Sequence, residues 1–153
     1  TSIFRGLTVF ENLLAIAQIV KKKTASQEEI VEKLMAEFSI THLRDVKATA
    51  LSGGERRRTE IARCLINNPS VLLLDEPSAG MTQEETRELM DDILAVRERL
   101  SGLSIIIVEH DMDVIVRVTD RCAVLNYGRL IGQGTYREIT ADPAVRSAYL
   151  GEE

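Results

Sequence analysis

The sequence predicts an α/β fold in which a partial parallel sheet is flanked by helices and preceded by an N-terminal helical subdomain. Two short, continuous apolar runs, residues 71–74 and 105–108, are typical of strands in a mostly parallel sheet. Segments with the apolar repeat of an amphipathic helix separate and follow these runs. Before residue 50 only the helical repeat is found, so the chain divides into a helical part and an α/β part.

Two helices are predicted in the first part, residues 1–50. Each begins with a capping box, in which Thr8 and Ser26 are the N-cap residues. The apolar stripes that follow predict one helix over residues 8–21 and a second one that extends to Phe38. We expect these helices to form the helical subdomain.

The second part, residues 51–153, begins with a third helix that runs from Ser52 to Ile66 and ends at Asn67-Asn68-Pro69. The elements predicted after it are a strand over 71–74, a helix over 83–100, a strand over 105–108, a helix over 111–118, a hairpin around Asn126-Tyr127-Gly128 and two short helices broken at Pro143. The third helix should join the two parts, so the boundary near residue 50 is not sharp.

The charge of the chain argues against a nucleic-acid partner. The formal net charge is -5, whereas a broad nucleic-acid footprint depends on clustered Lys and Arg. The basic runs Lys21–Lys23 and Arg56–Arg58 are short, and we interpret them as solvated faces. With 44% hydrophobic and 28% charged residues, the composition is that of an ordinary globular domain.

The cysteines and the hydropathy indicate a reducing compartment and no membrane span. Cys64 and Cys122 lie in apolar surroundings at no metal-ligand spacing, so we expect buried free thiols and not a disulfide or a metal site. No stretch approaches the ~18 apolar residues that a membrane span needs, and the first residues carry no export signal. Any contact with a membrane is therefore expected to go through a partner.

The segment Leu51-Ser52-Gly53-Gly54-Glu55 is the first of three motifs that indicate chemistry. It precedes a helix whose first turn exposes backbone N–H groups and the positive end of the helix dipole, which can bind a phosphate. The two glycines allow a close approach to the backbone, and the Ser52 hydroxyl adds a donor. A capping box between Ser52 and Glu55, with no ligand, is the alternative.

The other two motifs follow the predicted strands. Asp75 and Glu76 end the first strand, at the edge where ligands of open α/β sheets collect. A strand-ending acidic pair in solvent is the alternative. His110 follows the second strand, and a lone histidine in such a place is by itself more often structural than functional.

The order of these motifs resembles that of the ATP-binding subunits of ABC transporters, which have a P-loop NTPase-type fold. The resemblance covers essentially all 153 residues. In that family a phosphate loop and a glutamine loop come earlier in the chain, so Thr1 is expected to lie just after the glutamine. The pattern Gly-x-x-x-x-Gly-Lys-Ser/Thr is absent from this sequence. Residues 51–153 are therefore interpreted as the second half of the nucleotide-binding core.

The resemblance implies catalytic roles for three residues, with ATP and Mg²⁺ as the cofactors. Asp75 would order the Mg²⁺, largely through water, and Glu76 would polarise the attacking water. His110 would contact the terminal phosphate and help to hold the water and Glu76 in register. Because the phosphate loop is absent from these 153 residues, we predict that they show negligible ATPase activity by themselves.

The resemblance also implies partners. Ser52–Glu55 would complete the ATP site of a second ATP-binding subunit in a dimer. Phe4 and Arg5 would lie on the face that grips the transmembrane permease subunits; a helix-entry contact and a surface charge are the alternative. The implied location is cytoplasmic, at the inner face of the cell membrane and held there through the permease.

Two subgroups of the family share features with the chain. Ser2–Leu13 and Leu51–Arg58 look like the lipopolysaccharide-export ATPase, whereas Ala79–Thr82, Val108–Met112 and Ala148–Glu152 look like the branched-chain amino-acid and urea uptake ATPases. The implied function is to couple ATP hydrolysis to the transport of a solute such as a branched-chain amino acid or lipopolysaccharide. One alternative is a non-catalytic module that docks to a transporter or to a complementary half. A cytosolic ABC-type ATPase of DNA repair or translation is disfavoured by the short helical part and the acidic charge.

The chain departs from the family pattern at Thr82, where an aspartate commonly helps communication between two ATP sites. We expect altered communication and not a loss of hydrolysis. The absent half of the core should also supply central strands. The sheet is therefore expected to have an uncovered edge and an apolar face without its partner.

Overall fold

A computed structural model describes residues 3–19 and 26–150 of the chain. The elements in chain order are α1 (Val9–Ile19), α2 (Gln27–Glu37), α3 (Gly53–Leu65), β1 (Val71–Asp75), α4 (Gln83–Arg99), β2 (Ser104–Val108), α5 (Met112–Val118), β3 (Cys122–Asn126), β4 (Arg129–Gly134), α6 (Tyr136–Ala141) and α7 (Pro143–Leu150). The predicted α/β class and each predicted helix and strand are confirmed. The end of the first predicted helix and the run Lys21–Lys23 lie outside the described residues.

Side-chain caps explain why the helices begin where the sequence predicts. At the start of α1, the Glu11 N–H donates to Thr8 Oγ1 at 3.1 Å, and the Thr8 N–H donates to the Glu11 carboxylate at 2.8 Å. The same reciprocal box is formed at α2, α3, α4 and α6, with Ser26, Ser52, Thr82 and Thr135 as the N-caps. Such a cap stabilises a helix by roughly 1 kcal/mol.

The described structure forms two compact units, Thr1–Val108 and Glu109–Glu153. In the first unit α3 packs against α1, α2 and α4, with a core that includes the fully buried side chains of Leu13, Phe38 and Leu89. The predicted division into 1–50 and 51–153 stays a prediction, because compactness alone does not define a functional subdomain.

The parallel sheet of the first unit consists of β1 and β2, in a register that places Leu73 beside Ile106. Leu72 and Leu74 are buried on one face of β1. On the other face Leu73 is 70% exposed and Ile106 is 55% exposed, together with Val71 and Val108. The structure thus confirms the predicted apolar sheet face, which the described residues of the first unit leave uncovered.

The second unit is built on the hairpin of β3 and β4, which pair antiparallel. Tyr127 and Gly128 connect the strands with φ values of 47° and 75°, as the two-residue turn that matches the strand twist requires. Val124 of β3, Ile139 of α6 and Val145 of α7 form its core.

Two expectations about surface exposure were wrong. Cys64 is exposed and Cys122 is half-buried, although both thiols are free as predicted. The run Arg56–Arg58 is half-buried and not a solvated face. Arg58 lies three positions before Ile61 and therefore on the same side of α3, where its Nη2 donates to Glu88 of α4 at 2.6 Å. The described helices include none that is both long and apolar enough to cross a bilayer.

Asp92 of α4 is partly buried beside α3, and we expect it to make stability depend on pH. Its Oδ2 lies 3.6 Å from Arg58 Nε and has no hydrogen-bond partner within the described residues. Burial raises the pKa of Asp92 from 3.8 to about 6, with Glu88 and Asp91 adding to the rise and Arg58 opposing it. Between these values the folded state binds more protons than the unfolded state, so this carboxyl lowers the stability as the pH rises through the window.

We therefore expect Asp92→Asn to raise the free energy of unfolding near neutral pH by about 1 kcal/mol relative to the unmodified chain, with little difference near pH 4. Urea unfolding of both proteins across the pH range measures this difference. Glu98→Gln, which removes an exposed carboxylate from the same helix, is the matched control. Its difference in unfolding free energy from the unmodified chain should not change with pH. A neutral-pH loss of stability in Asp92→Asn would show instead that the pair with Arg58 outweighs the cost of burial.

Candidate functional site

The first turn of α3 contains the Ser-Gly-Gly-Glu segment. Ser52 Oγ accepts a hydrogen bond from the Glu55 N–H at 3.2 Å, and the Glu55 carboxylate accepts one from the Ser52 N–H at 2.8 Å. The capping box is thus present. The capping box does not use the N–H groups of Gly53 and Gly54. At the start of a helix these two groups have no carbonyl acceptor within the helix. A cap and an anion site can therefore coexist here.

Gly54 is buried where α3 meets the segment that leads into α4. A Cβ atom at this position would lie 3.0 Å from Glu85 Oε1 and 3.4 Å from Met81 Cε. A side chain would therefore force Glu85 to shift, and Glu85 is the residue that completes the cap of α4 with Thr82. Thr82 is the departure from the family pattern, and it retains a structural role as this N-cap.

Asp75 and Glu76 lie at the carboxyl end of β1, and both are exposed. Asp75 is in register with Val108, the last residue of β2. The Glu76 N–H donates to the Val108 carbonyl at 2.9 Å, so the pairing of the two strands continues into Glu76. The carboxylates are therefore attached at the edge where the two parallel strands end, as the sequence predicts.

Glu76 has a left-handed backbone conformation, with φ at 42°. This conformation costs a residue other than glycine about 1 kcal/mol or more, and it persists where the surroundings hold it. The Glu76 carbonyl accepts the Ala79 N–H at 3.1 Å and Arg57 Nη2 at 3.2 Å. Hydrogen bonds to the N–H and to the carbonyl of Glu76 thus support its strained backbone conformation.

The contact between Arg57 and Glu76 brings the helix of the first motif to the carboxylates of the second. The sequence does not predict this contact, since the run Arg56–Arg58 is expected to be a solvated face. The two residues are 19 positions apart, and no local spacing signals such a contact. The only available signal is that Arg57 lies one turn after Gly53 on the helix that opens with the motif.

His110 belongs to the second unit. Its imidazole is 72% exposed, with Nδ1 at 3.7 Å from Glu109 Oε2. The same carboxylate oxygen accepts the backbone N–H of His110 at 3.1 Å, and the Glu109 side chain is fully buried. Glu109 thus anchors the backbone of His110 while the ring faces solvent.

Phe4 and Arg5 are exposed beside the N-terminus of α1. The buried side chain of Asn12 holds this segment: it accepts the Phe4 N–H at 2.8 Å and donates to the carbonyls of Phe4 and Thr8 at 3.0 and 2.9 Å. The guanidinium of Arg63 lies over the Phe4 ring at 4.8 Å from its centroid. An exposed aromatic ring is therefore held in a defined place.

A metal ion at this site would have few protein ligands. Within residues 3–19 and 26–150, no group of three or more Asp, Glu, His or Cys side chains is arranged to hold one. Mg²⁺ usually keeps several waters and takes one or two carboxylates, with the remaining ligands from phosphates. Asp75 and Glu76, both exposed, fit that requirement and do not fit a cage made of protein ligands alone.

Comparisons with known proteins agree with the motif order. The family model described as ABC transporter matches residues 1–79, and the model described as branched-chain amino acid ATP-binding cassette transporter matches residues 129–153. The lipopolysaccharide export system ATP-binding proteins LptB of Haemophilus influenzae and Escherichia coli are 42% and 44% identical to the chain. Each match covers 99% of this chain and 63% of the relative, so the chain spans less than two thirds of their length.

Solved structures show the same likeness. An ATP-binding cassette of an ABC transporter superposes with a TM-score of 0.81 at 28% identity, over 95% of this chain and 63% of the other. The protein cbiO1 from Clostridium perfringens, part of the ABC transporter complex cbiONQ, gives a TM-score of 0.81 at 31% identity, over 94% of this chain and 56% of the other. These similarities confirm the predicted type of fold.

Proposed function

The chain belongs to the ABC transporter family of ATP-binding proteins, and we propose that it supplies the hydrolytic carboxylates and the Ser-Gly-Gly-Glu segment of a subunit that couples ATP hydrolysis to transport. The observation that carries the proposal is the placement of Asp75 and Glu76. Asp75 ends β1 and Glu76 follows it, at the edge where β2 also ends, and the Glu76 N–H donates there to the Val108 carbonyl. Ligands of parallel α/β sheets collect at this edge.

Glu76 is proposed to orient the attacking water and accept its proton, and Asp75 to hold Mg²⁺ through water. When bound, Mg²⁺ neutralises charge that develops on the terminal phosphates of ATP. His110 is proposed to contact the terminal phosphate. Its solvent-facing imidazole on an anchored backbone supports this role.

Ser52, Gly53, Gly54 and Glu55 are proposed to complete the ATP site of a second subunit. The first turn of a helix offers N–H donors and a favourable dipole to an anion, and Ser52 stands at that turn. Ser52 and Gly53 are exposed, so a partner can reach them. The proposed functional form is a dimer of ATP-binding subunits.

Phe4 and Arg5 are proposed to contact the transmembrane permease subunits, which would place the protein at the cytoplasmic face of the cell membrane. Support comes from the exposed position of both side chains and the rigid hold that Asn12 has on their segment. The names of the matched relatives and family models favour lipopolysaccharide or a branched-chain amino acid as the cargo. The net charge of -5 disfavours a nucleic-acid partner.

The proposal is tested by measuring phosphate release from Mg-ATP by the full-length protein that contains this chain. We expect turnover on the order of 1 s⁻¹ or faster, the usual lower range for enzymes. Asp75→Asn should lower turnover and raise the Mg²⁺ concentration that half-maximal turnover requires, because the uncharged amide holds the ion less well, whereas Glu98→Gln on the exposed side of α4 should leave turnover unchanged. A full-length protein that binds ATP without any turnover would refute the catalytic part of the proposal.

A further inference from the structure

The strained backbone of Glu76 is the starting point of an inference that rests on the proposed ATPase function. The side chain of Glu76 projects from a residue with φ at 42°, so its direction depends on the peptide groups on either side. The N–H is held by the Val108 carbonyl at 2.9 Å. The carbonyl has two lone pairs, and it accepts the Ala79 N–H and the Arg57 guanidinium.

Arg57 is itself oriented for this contact. Its Nη1 lies 3.5 Å from Glu60 Oε2, three positions further along α3, and its Nη2 donates to the Glu76 carbonyl at 3.2 Å. The side chain is 33% exposed and that of Glu60 is 14% exposed. A planar guanidinium can serve two acceptors at fixed angles, which a lysine cannot match.

We propose that Arg57 is a positioning residue, which holds the Glu76 backbone in its left-handed conformation and thereby aims the carboxylate at the attacking water. Arg57 does not touch the reacting atoms. It acts through the backbone of Glu76, from the helix that begins with Ser52-Gly53-Gly54. The second turn of α3, directly after the Ser-Gly-Gly-Glu segment, is therefore hydrogen-bonded to the backbone of Glu76 within one subunit.

The test uses the full-length protein and compares Arg57→Gln, Arg57→Lys and the control Arg87→Gln. We expect Arg57→Gln to lower kcat for ATP hydrolysis by about 10- to 100-fold with the KM for ATP unchanged. Arg57→Lys should recover part of this loss, because an ammonium can still donate to the carbonyl. Arg87 is exposed on α4, and its replacement should change neither constant.

A double-mutant cycle separates positioning from a general structural role. If Arg57 acts only through Glu76, then Arg57→Gln should not lower the residual single-turnover rate further in a Glu76→Gln background. Equal losses in both backgrounds, or an unchanged kcat in Arg57→Gln, would overturn the inference. If Arg57→Gln does not fold, the same cycle is run with Arg57→Lys, where a partial loss of kcat that vanishes in the Glu76→Gln background supports the inference and a loss that persists overturns it.

The outcome for the inference is distinct from the outcome for the proposed function. Turnover by the unmodified protein that Glu76→Gln abolishes and Arg57→Gln leaves intact would reject only the role of Arg57. Absence of turnover in the unmodified protein would reject the proposed function, and the positioning role with it.

Discussion

Replacing Glu76 with glutamine in the full-length protein is expected to lower kcat for ATP hydrolysis by about 10²- to 10⁴-fold, the usual contribution of a general base. Glutamine has the shape of glutamate but cannot accept the proton of the attacking water. The backbone contacts to Val108, Ala79 and Arg57 involve only the N–H and the carbonyl of residue 76, so they should survive the change. Binding of Mg-ATP should therefore persist while turnover is lost.

Steady-state phosphate release and equilibrium binding of Mg-ATP, measured on the same preparation, check the two parts of this expectation. Glu84→Gln is a matched control, because Glu84 is also an exposed carboxylate, close in the chain to Glu76 but in the first turn of α4. It should leave kcat unchanged. If Glu76→Gln kept more than a tenth of the turnover, Glu76 would not be the base, and the acidic pair would have to be explained as a solvated strand end.

The 153-residue chain alone is expected to give no measurable heat with Mg-ATP and no phosphate release. Its sequence contains no Gly-x-x-x-x-Gly-Lys-Ser/Thr pattern, and this pattern supplies the backbone cradle and the lysine that hold the β and γ phosphates. Asp75 and Glu76 are carboxylates, which repel the phosphates when no metal lies between them. The 153 residues therefore contain carboxylates that need a metal ion before phosphates can bind beside them, but they contain no loop of the kind that holds the phosphates.

Isothermal calorimetry of the chain with Mg-ATP is the direct measurement, with Glu76→Gln as a parallel sample that excludes loss of nucleotide by turnover. The full-length protein serves as the positive control. Micromolar, Mg²⁺-dependent binding by the 153 residues would contradict the expectation. It would mean that the ATP site is completed within these residues or between copies of them.

Local sequence signals predicted the elements and the motif positions well, because the interactions that determine them span three or four residues. The caps at Thr8, Ser52 and Thr82 each join a side chain to an N–H three positions away. The turn at Tyr127-Gly128 depends on two adjacent backbone conformations. In the same way, an acidic pair directly after an apolar run must stand at the end of the strand.

Local signals failed where burial depends on a second element. Arg58 belongs to a run of three arginines that the sequence predicts to be exposed. Its side chain is only 13% exposed, because α4 packs over it. Cys64 reads as buried among apolar neighbours, yet it is exposed. Periodicity shows which residues share a face, but it does not show where the facing helix ends.

The sequence by itself thus determined the α/β class, the beginnings of the helices, the two apolar strands and the order of the motifs that indicates the ABC transporter family. Only the tertiary structure decided that Arg57 supports Glu76 and that Asp92 is partly buried beside Arg58. The physical reason is the separation along the chain between the residues that interact. Caps and turns are formed by neighbours in the chain, whereas these two environments depend on groups 19 or more positions apart.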